Sequence, residues 1–181
     1  MTPENFILVL LEIAGGEIQG KTLIQKQAYF ISEFLGIYLG YKAHFYGPYS
    51  QKIEDALNYN TYLNLIDEYC TVWGADPYGF ERKKYEYKLN AAGREIVDGI
   101  KEKERDLYNS VKEIFEKLIN SGVNDDYIAI SIAAKVHYIL TNSNDDDFTN
   151  EKIIAIARSF GWNISEPSII SAIKILQTVV S

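Results

Sequence analysis

The sequence is poor in the residues from which covalent scaffolds, metal sites and most active sites are made. It has one cysteine, Cys70, so no internal disulfide can form, and a lone thiol suits a reducing compartment. Its two histidines, His44 and His137, stand far apart, and with one cysteine they leave too few soft ligands for a structural zinc site. Long hydrophobic runs are missing. The longest, Phe6 to Leu11, is too short to span a bilayer, and no basic residue precedes it, so Met1-Thr2-Pro3-Glu4-Asn5 does not read as a signal peptide. A cytoplasmic protein with no membrane partner is the expectation.

Catalytic motifs are missing too. There is no phosphate-binding glycine loop, no nucleophile elbow and no metal-ligand pair on one helix. Gly36-Ile37-Tyr38-Leu39-Gly40 lacks the strand and the further glycine of a dinucleotide site. Asp145-Asp146-Asp147 lacks the glycine and distal glutamate of a calcium loop and reads as a solvated acidic loop. His44 and His137 read as packed side chains and Cys70 as a small buried hydrophobe in a strand. No catalytic residue, metal or cofactor is expected. Positive charge is scarce as well: the net charge is −7, which counts against nucleic acid unless the lysines and arginines gather on one face.

What is present is helical periodicity, turn chemistry and tyrosine, of which there are 14. Thr2-Pro3-Glu4 is a helix start, with Gly15-Gly16 as the stop. A short extended piece, Glu17 to Gln19, precedes a second helix from Gly20-Lys21-Thr22 whose Ile24, Ala28, Ile31 and Leu35 share one face. Gly47-Pro48 is a turn, Ser50 caps a third helix from Gln51 to about Leu63, and Asn64 ends it in a left-handed conformation. Leu65 to Trp73 and Arg82 to Leu89 read as two strands, the second with Lys84, Glu86 and Lys88 on its wet face. After Asn90 the period changes to that of a long charged helix with an apolar stripe, Ile100, Leu107, Val111, Ile114 and Leu118, interrupted at Lys103-Glu104. Three further helices follow. The expected fold is therefore mainly α with a small β-hairpin: a winged helix-turn-helix domain over residues 1–90 and a C-terminal helical region over 91–181. The stripe needs a cover, either the chain's own last helices or a second copy in a homodimer through residues 96–118.

A winged helix puts its third helix into the major groove and its hairpin on the flanking backbone. Read that way, Ser50 and the helix N-terminus meet a phosphate, Gln51 and Asn58 read base edges, and Lys21, Lys26, Lys52 and the run Arg82-Lys83-Lys84 supply charge. Glu54 and Asp55 on the same helix oppose this.

The stretch Gly20-Lys21-Thr22-Leu23-Ile24-Gln25-Lys26-Gln27-Ala28-Tyr29-Phe30 and the motif Tyr46-Gly47-Pro48-Tyr49-Ser50 resemble the signatures of the YwgA-like winged-helix family. Asn64-Leu65-Ile66 and Tyr87-Lys88-Leu89-Asn90-Ala91-Ala92-Gly93-Arg94 are similar to its later motifs. A looser similarity extends to the Panacea domain of SocA-type antitoxins. The resemblance covers roughly residues 5–95 and implies a winged helix of the kind found around regulators, antitoxins and defence loci. Within it, Gln25 and Lys26 are placed to tie the second helix to the Gly47-Pro48 turn, with Tyr46 and Tyr49 packed around that turn. Two functions follow: a regulator that binds double-stranded DNA, or a protein-interaction module (antitoxin or accessory subunit) that meets its partner through Tyr46, Tyr49 and Tyr78.

Overall fold

A computed structural model describes residues 1–75, 81–123, 126–143 and 148–180. Tyr78 and the acidic run Asp145 to Asp147 lie outside the described residues. The chain runs α1 (Pro3–Ile13), β1 (Glu17–Gln19), α2 (Lys21–Phe34), α3 (Gln51–Tyr62), β2 (Ile66–Ala75), β3 (Glu81–Leu89), α4 (Ala91–Lys103), α5 (Arg105–Asn120), α6 (Tyr127–Asn142), α7 (Asn150–Ser159) and α8 (Glu166–Val180). It is mainly helical with one small antiparallel sheet.

Local chemistry sets most boundaries. The Thr2 hydroxyl accepts the Asn5 N–H and the Ser50 hydroxyl accepts that of Ile53, so each satisfies an orphan donor of a first turn. Asn64 ends α3 at φ 54°, the left-handed value that asparagine tolerates. The Ser165 hydroxyl likewise accepts from the Ser168 N–H at the start of α8.

The sheet has the order β1-β3-β2, so the expected hairpin gains a third strand. The extended piece Glu17 to Gln19 pairs with Glu86 to Lys88, and Ile66 to Val72 pair with Lys83 to Leu89 on the other side of β3. The alternation expected for β3 holds: Tyr87 and Leu89 are buried, and Lys84 is exposed. Beyond the core the hairpin carries on alone. Cys70 is exposed there, against the expectation of a buried thiol, because the distal half of β2 has no helix beneath it.

The single long helix expected after Asn90 is two helices. They break at Glu104 (φ −127°, ψ 42°), where the apolar stripe was seen to lapse. The break lets α4 pack on α1 while α5 lies against α1, α2 and α8. Of the stripe, Ile100, Val111 and Leu118 are buried against this chain's own helices, and Leu107 and Ile114 are partly exposed. Residue 90 marks a change of element type, and one continuous core crosses it, from Phe6 and Tyr29 to Ile130 and Ile169.

The turn into α4 is held tightly. Asn90 caps the helix through the Gly93 N–H at 3.1 Å and donates its amide to the Asn64 carbonyl at 2.8 Å. A Cβ on Gly93 would collide with the Leu65 carbonyl and the Leu89 side chain, whereas a Cβ on Gly99, later in the same helix, meets open space. Gly93→Ala should therefore destabilise by about 2 kcal/mol or more through overpacking, and Gly99→Ala should stabilise by about 0.5–1 kcal/mol through helix propensity. Urea unfolding of the two variants checks the opposite signs.

Candidate interaction surface

The segment between α2 and α3 is organised by polar residues that α2 buries. Gln25 is 4% exposed and Lys26 2% exposed. The Gln25 amide donates to the Ser50 carbonyl and accepts the Ser50 N–H, both at 3.0 Å, so one side chain completes both backbone groups of one residue. The Lys26 ammonium donates to the Pro48 carbonyl at 2.6 Å. The expected tie between α2 and the Gly47-Pro48 turn is present. Further along, Lys42 and Tyr49 exchange backbone hydrogen bonds at 3.0 and 2.9 Å, closing the loop on itself. Gly47 sits at φ 102° with Lys26 and Lys135 packed against its α-carbon, so a side chain there meets both strain and contact. From the far half of the chain, the Trp162 indole donates to the His44 carbonyl at 2.7 Å.

This grip changes the roles read from the sequence. Ser50 is fully buried; its hydroxyl donates to the Leu39 carbonyl at 2.6 Å and caps α3, so it has nothing left for a phosphate. Lys26 is buried and supplies no surface charge. Lys21 pairs with Glu54 at 2.7 Å. Burial pulls the Lys21 ammonium down, but its bond to Glu54 and the nearby Glu68 outweigh that and raise it above its ordinary value. Gln51 spends its amide on Asp55 at 2.8 Å. Asn58 faces solvent on α3. Lys52 is exposed and rests over the Tyr38 ring, 5.1 Å from its centre. In the hairpin, Arg82 covers the Trp73 ring at 5.2 Å, Lys83 pairs with Glu81 at 3.3 Å and Lys84 points to solvent. Lys88 is held by Glu86 at 2.6 Å and Glu17 at 3.2 Å. Of the cations on which a DNA contact would depend, Lys21 and Lys83 are answered by carboxylates and Lys26 is buried, while Lys52, Arg82 and Lys84 have no carboxylate partner among the described residues; Lys21, Lys83 and Lys84 line one groove.

Aromatic side chains fill the surface instead. Tyr38 is 85%, Phe45 76% and Tyr62 82% exposed, and Tyr46, Tyr59 and Trp73 are each more than half exposed. Tyr46 does not pack around the turn as expected; it stands out beside Phe45, with ring centres 5.5 Å apart. Tyr49 does pack there, tilted against His44 at 5.0 Å. His44 is exposed rather than packed. His137 is the satisfied core residue expected, its Nδ1 2.8 Å from the Tyr29 hydroxyl, and burial pushes its pKa down to about 4.

Two concavities are lined by these elements. A groove of about 1090 Å³ runs between the start of α2 and the hairpin, walled by Lys21, Thr22, Trp73, Lys84, Tyr85 and Tyr127. A smaller cleft of about 460 Å³ lies at the loop before α3, between Lys42, His44, Tyr49 and Lys52. Lys42, Tyr38, Phe45 and Trp73 had not been singled out from the sequence. The available signal was Lys42-Ala43-His44-Phe45-Tyr46 itself, a loop mixing base and ring. Among the described residues no group of three His, Cys, Asp or Glu could hold a metal ion, and no helix is long and apolar enough to cross a membrane. No protein family model matches the chain, and no curated protein matches it.

Burial pushes the Lys26 ammonium down to about 7, with the neighbouring Lys135 adding repulsion. In the unfolded chain that group keeps its proton up to about 10.5. Between those values the unfolded state binds more protons, so stability should rise with pH from about 7 to about 10 and be lost as pH falls through that window. Lys26→Met removes this contribution and should flatten the rise, while leaving the Pro48 carbonyl unpaired at a cost of about 1–3 kcal/mol at pH 9. Urea midpoints measured across pH for both proteins check both effects.

Proposed function

We propose that this chain is a protein-interaction module, such as an antitoxin or accessory subunit, that carries the winged-helix arrangement of elements without using it to read DNA. The observation that carries this reading is the exposed face of α3. It offers Asp55, Asn58, Tyr59 and Tyr62 with one cation, Lys52. A helix placed in a major groove brings phosphates to both of its flanks, and affinity there comes from cations that displace counterions. Here Lys21 and Lys83, two of the cations expected to serve that end, are spent on Glu54 and Glu81. Exposed tyrosine and tryptophan, by contrast, are what protein interfaces are enriched in, because each ring covers a large area at little entropic cost. The motif resemblance to regulators and antitoxins agrees with either macromolecular partner; the distribution of charge favours protein. A homodimer through residues 96–118 is not part of this reading, since Ile100, Val111 and Leu118 of the apolar stripe there are buried within the chain.

The test is retention of short duplex DNA at low salt, where electrostatic binding is strongest. The protein should give none, and Arg82→Ala, Lys83→Ala and Lys84→Ala together should change nothing. Duplex retention whose salt slope falls by about one unit per lysine or arginine removed would instead establish a DNA contact through the hairpin.

A further inference from the structure

In an acidic chain, two lysines without a carboxylate partner in the lining of one small cleft are conspicuous. Lys21, Lys83, Lys88, Lys101, Lys112 and Lys117 each have a carboxylate within 4 Å. Lys42 and Lys52 have none among the described residues, and both line the cleft before α3. The lining between them is His44, Tyr49, Gln51 and the apolar Leu39 and Ala43, with no carboxylate. Of the acids on α3 near this lining, Glu54 is paired with Lys21 at 2.7 Å, while Asp55 keeps its charge and accepts the neutral Gln51 amide at 2.8 Å. Lys135 adds a further positive charge beneath the same loop, on the Gly47 side. Exposed rings adjoin the lining residues: Tyr38, 85% exposed, lies under the Lys52 ammonium at 5.1 Å, and Phe45 and Tyr46, 76% and 63% exposed, follow His44 in the chain. The loop is not a soft patch of surface, because Gln25, Lys26 and Trp162 hold its backbone at Ser50, Pro48 and His44.

We propose that this cleft seats an acidic segment of a partner protein. One carboxylate lies between the Lys42 and Lys52 ammonium groups, and an apolar residue beside it lies on the rim of Tyr38, Phe45 and Tyr46. The charge complementarity is local and opposite to that of the whole chain, whose net charge is −7. The net charge repels an acidic segment at long range, while the two lysines of a lining without carboxylates attract it here, which favours docking at this cleft. The rim rings supply apolar area that a free carboxylate or a phosphate ion does not use. The proposal rests on the protein-interaction reading and names its partner's chemistry.

The probe is a fluorescent decapeptide of alternating glutamate and aspartate with one central phenylalanine. Its controls are the same peptide with glutamine and asparagine, a peptide lacking the phenylalanine, inorganic phosphate and short duplex DNA. The acidic peptide should bind with a dissociation constant below about 1 mM, weakening with salt, and should shift the backbone NMR signals of Lys42, His44 and Lys52. Lys42→Glu with Lys52→Glu should weaken binding at least about tenfold, because both substituted side chains are exposed and now repel the ligand. Arg82→Ala with Lys84→Ala should leave it unchanged. The wild-type NMR shifts need no variant, so the test survives if a charge reversal unfolds the protein. Absence of binding, shifts confined to the hairpin, or equal affinity for the amide peptide each overturns the proposal while leaving the protein-interaction reading in place. Phosphate displacing the peptide one for one would make the cleft a general anion site and also overturns it. Binding of duplex DNA would overturn the underlying reading itself.

Discussion

One buried side chain, the Gln25 amide, sets where α3 starts. It satisfies both the N–H and the carbonyl of Ser50 at 3.0 Å, standing in for a strand that is not there. A buried backbone group without a partner costs on the order of 1–3 kcal/mol, so removing this amide exposes two such debts at once. Lys26 does the same for Pro48 under harsher terms. It holds an ammonium in the core without a carboxylate, at a cost in stability that shows as its depressed pKa. Two polar residues buried on α2, beside the apolar face of Ile24, Ala28 and Ile31, make sense only if the turn they hold matters.

Holding that turn has consequences outward and inward. Outward, it anchors the loop before α3, on which Tyr38, Phe45 and Tyr46 stand exposed and Lys42 shares a cleft with Lys52. Inward, it admits the C-terminal half: Trp162 reaches the His44 carbonyl and Lys135 packs on Gly47. His137 closes the same seam against Tyr29. The later helices are therefore more than an appendage. They complete the floor of the surface that the first half presents, and they bury part of α5's stripe as they do so.

What the sequence made legible is what is local. Caps, the Asn64 stop, the strand alternation around Tyr87 and the tie from Gln25 and Lys26 to the turn each depend on neighbours a few residues away or on a motif's spacing. What it hid depends on which elements meet. Ser50 looked like a phosphate ligand because an N-cap hydroxyl can serve either purpose; only the approach of Leu39 decides. Cys70 looked buried because a strand pattern does not say where the core beneath it stops. The stripe from Ile100 to Leu118 looked like a seam for another molecule because α8, which covers part of it, lies some fifty residues further on. The cation at Lys21 looked available because Glu54, 33 residues on, declares itself only in three dimensions; Glu81, two residues before Lys83 on the same strand face, could have been read from the sequence. Lys42 carried only the weak signal of a loop mixing base and ring until the fold put it in one cleft with Lys52.

The claim on which the rest stands is that the α2 side chains, and not chance packing, lock the turn before α3. Native-state hydrogen exchange of the Ser50 amide reads it directly. In the wild type that amide should exchange only through the global opening that exposes α2. In Gln25→Ala it should exchange at least about tenfold faster, a loss of ~1.4 kcal/mol, while the amides inside α2 keep their protection. A Ser50 amide that exchanges freely in the wild type, with α2 still protected, would contradict the account.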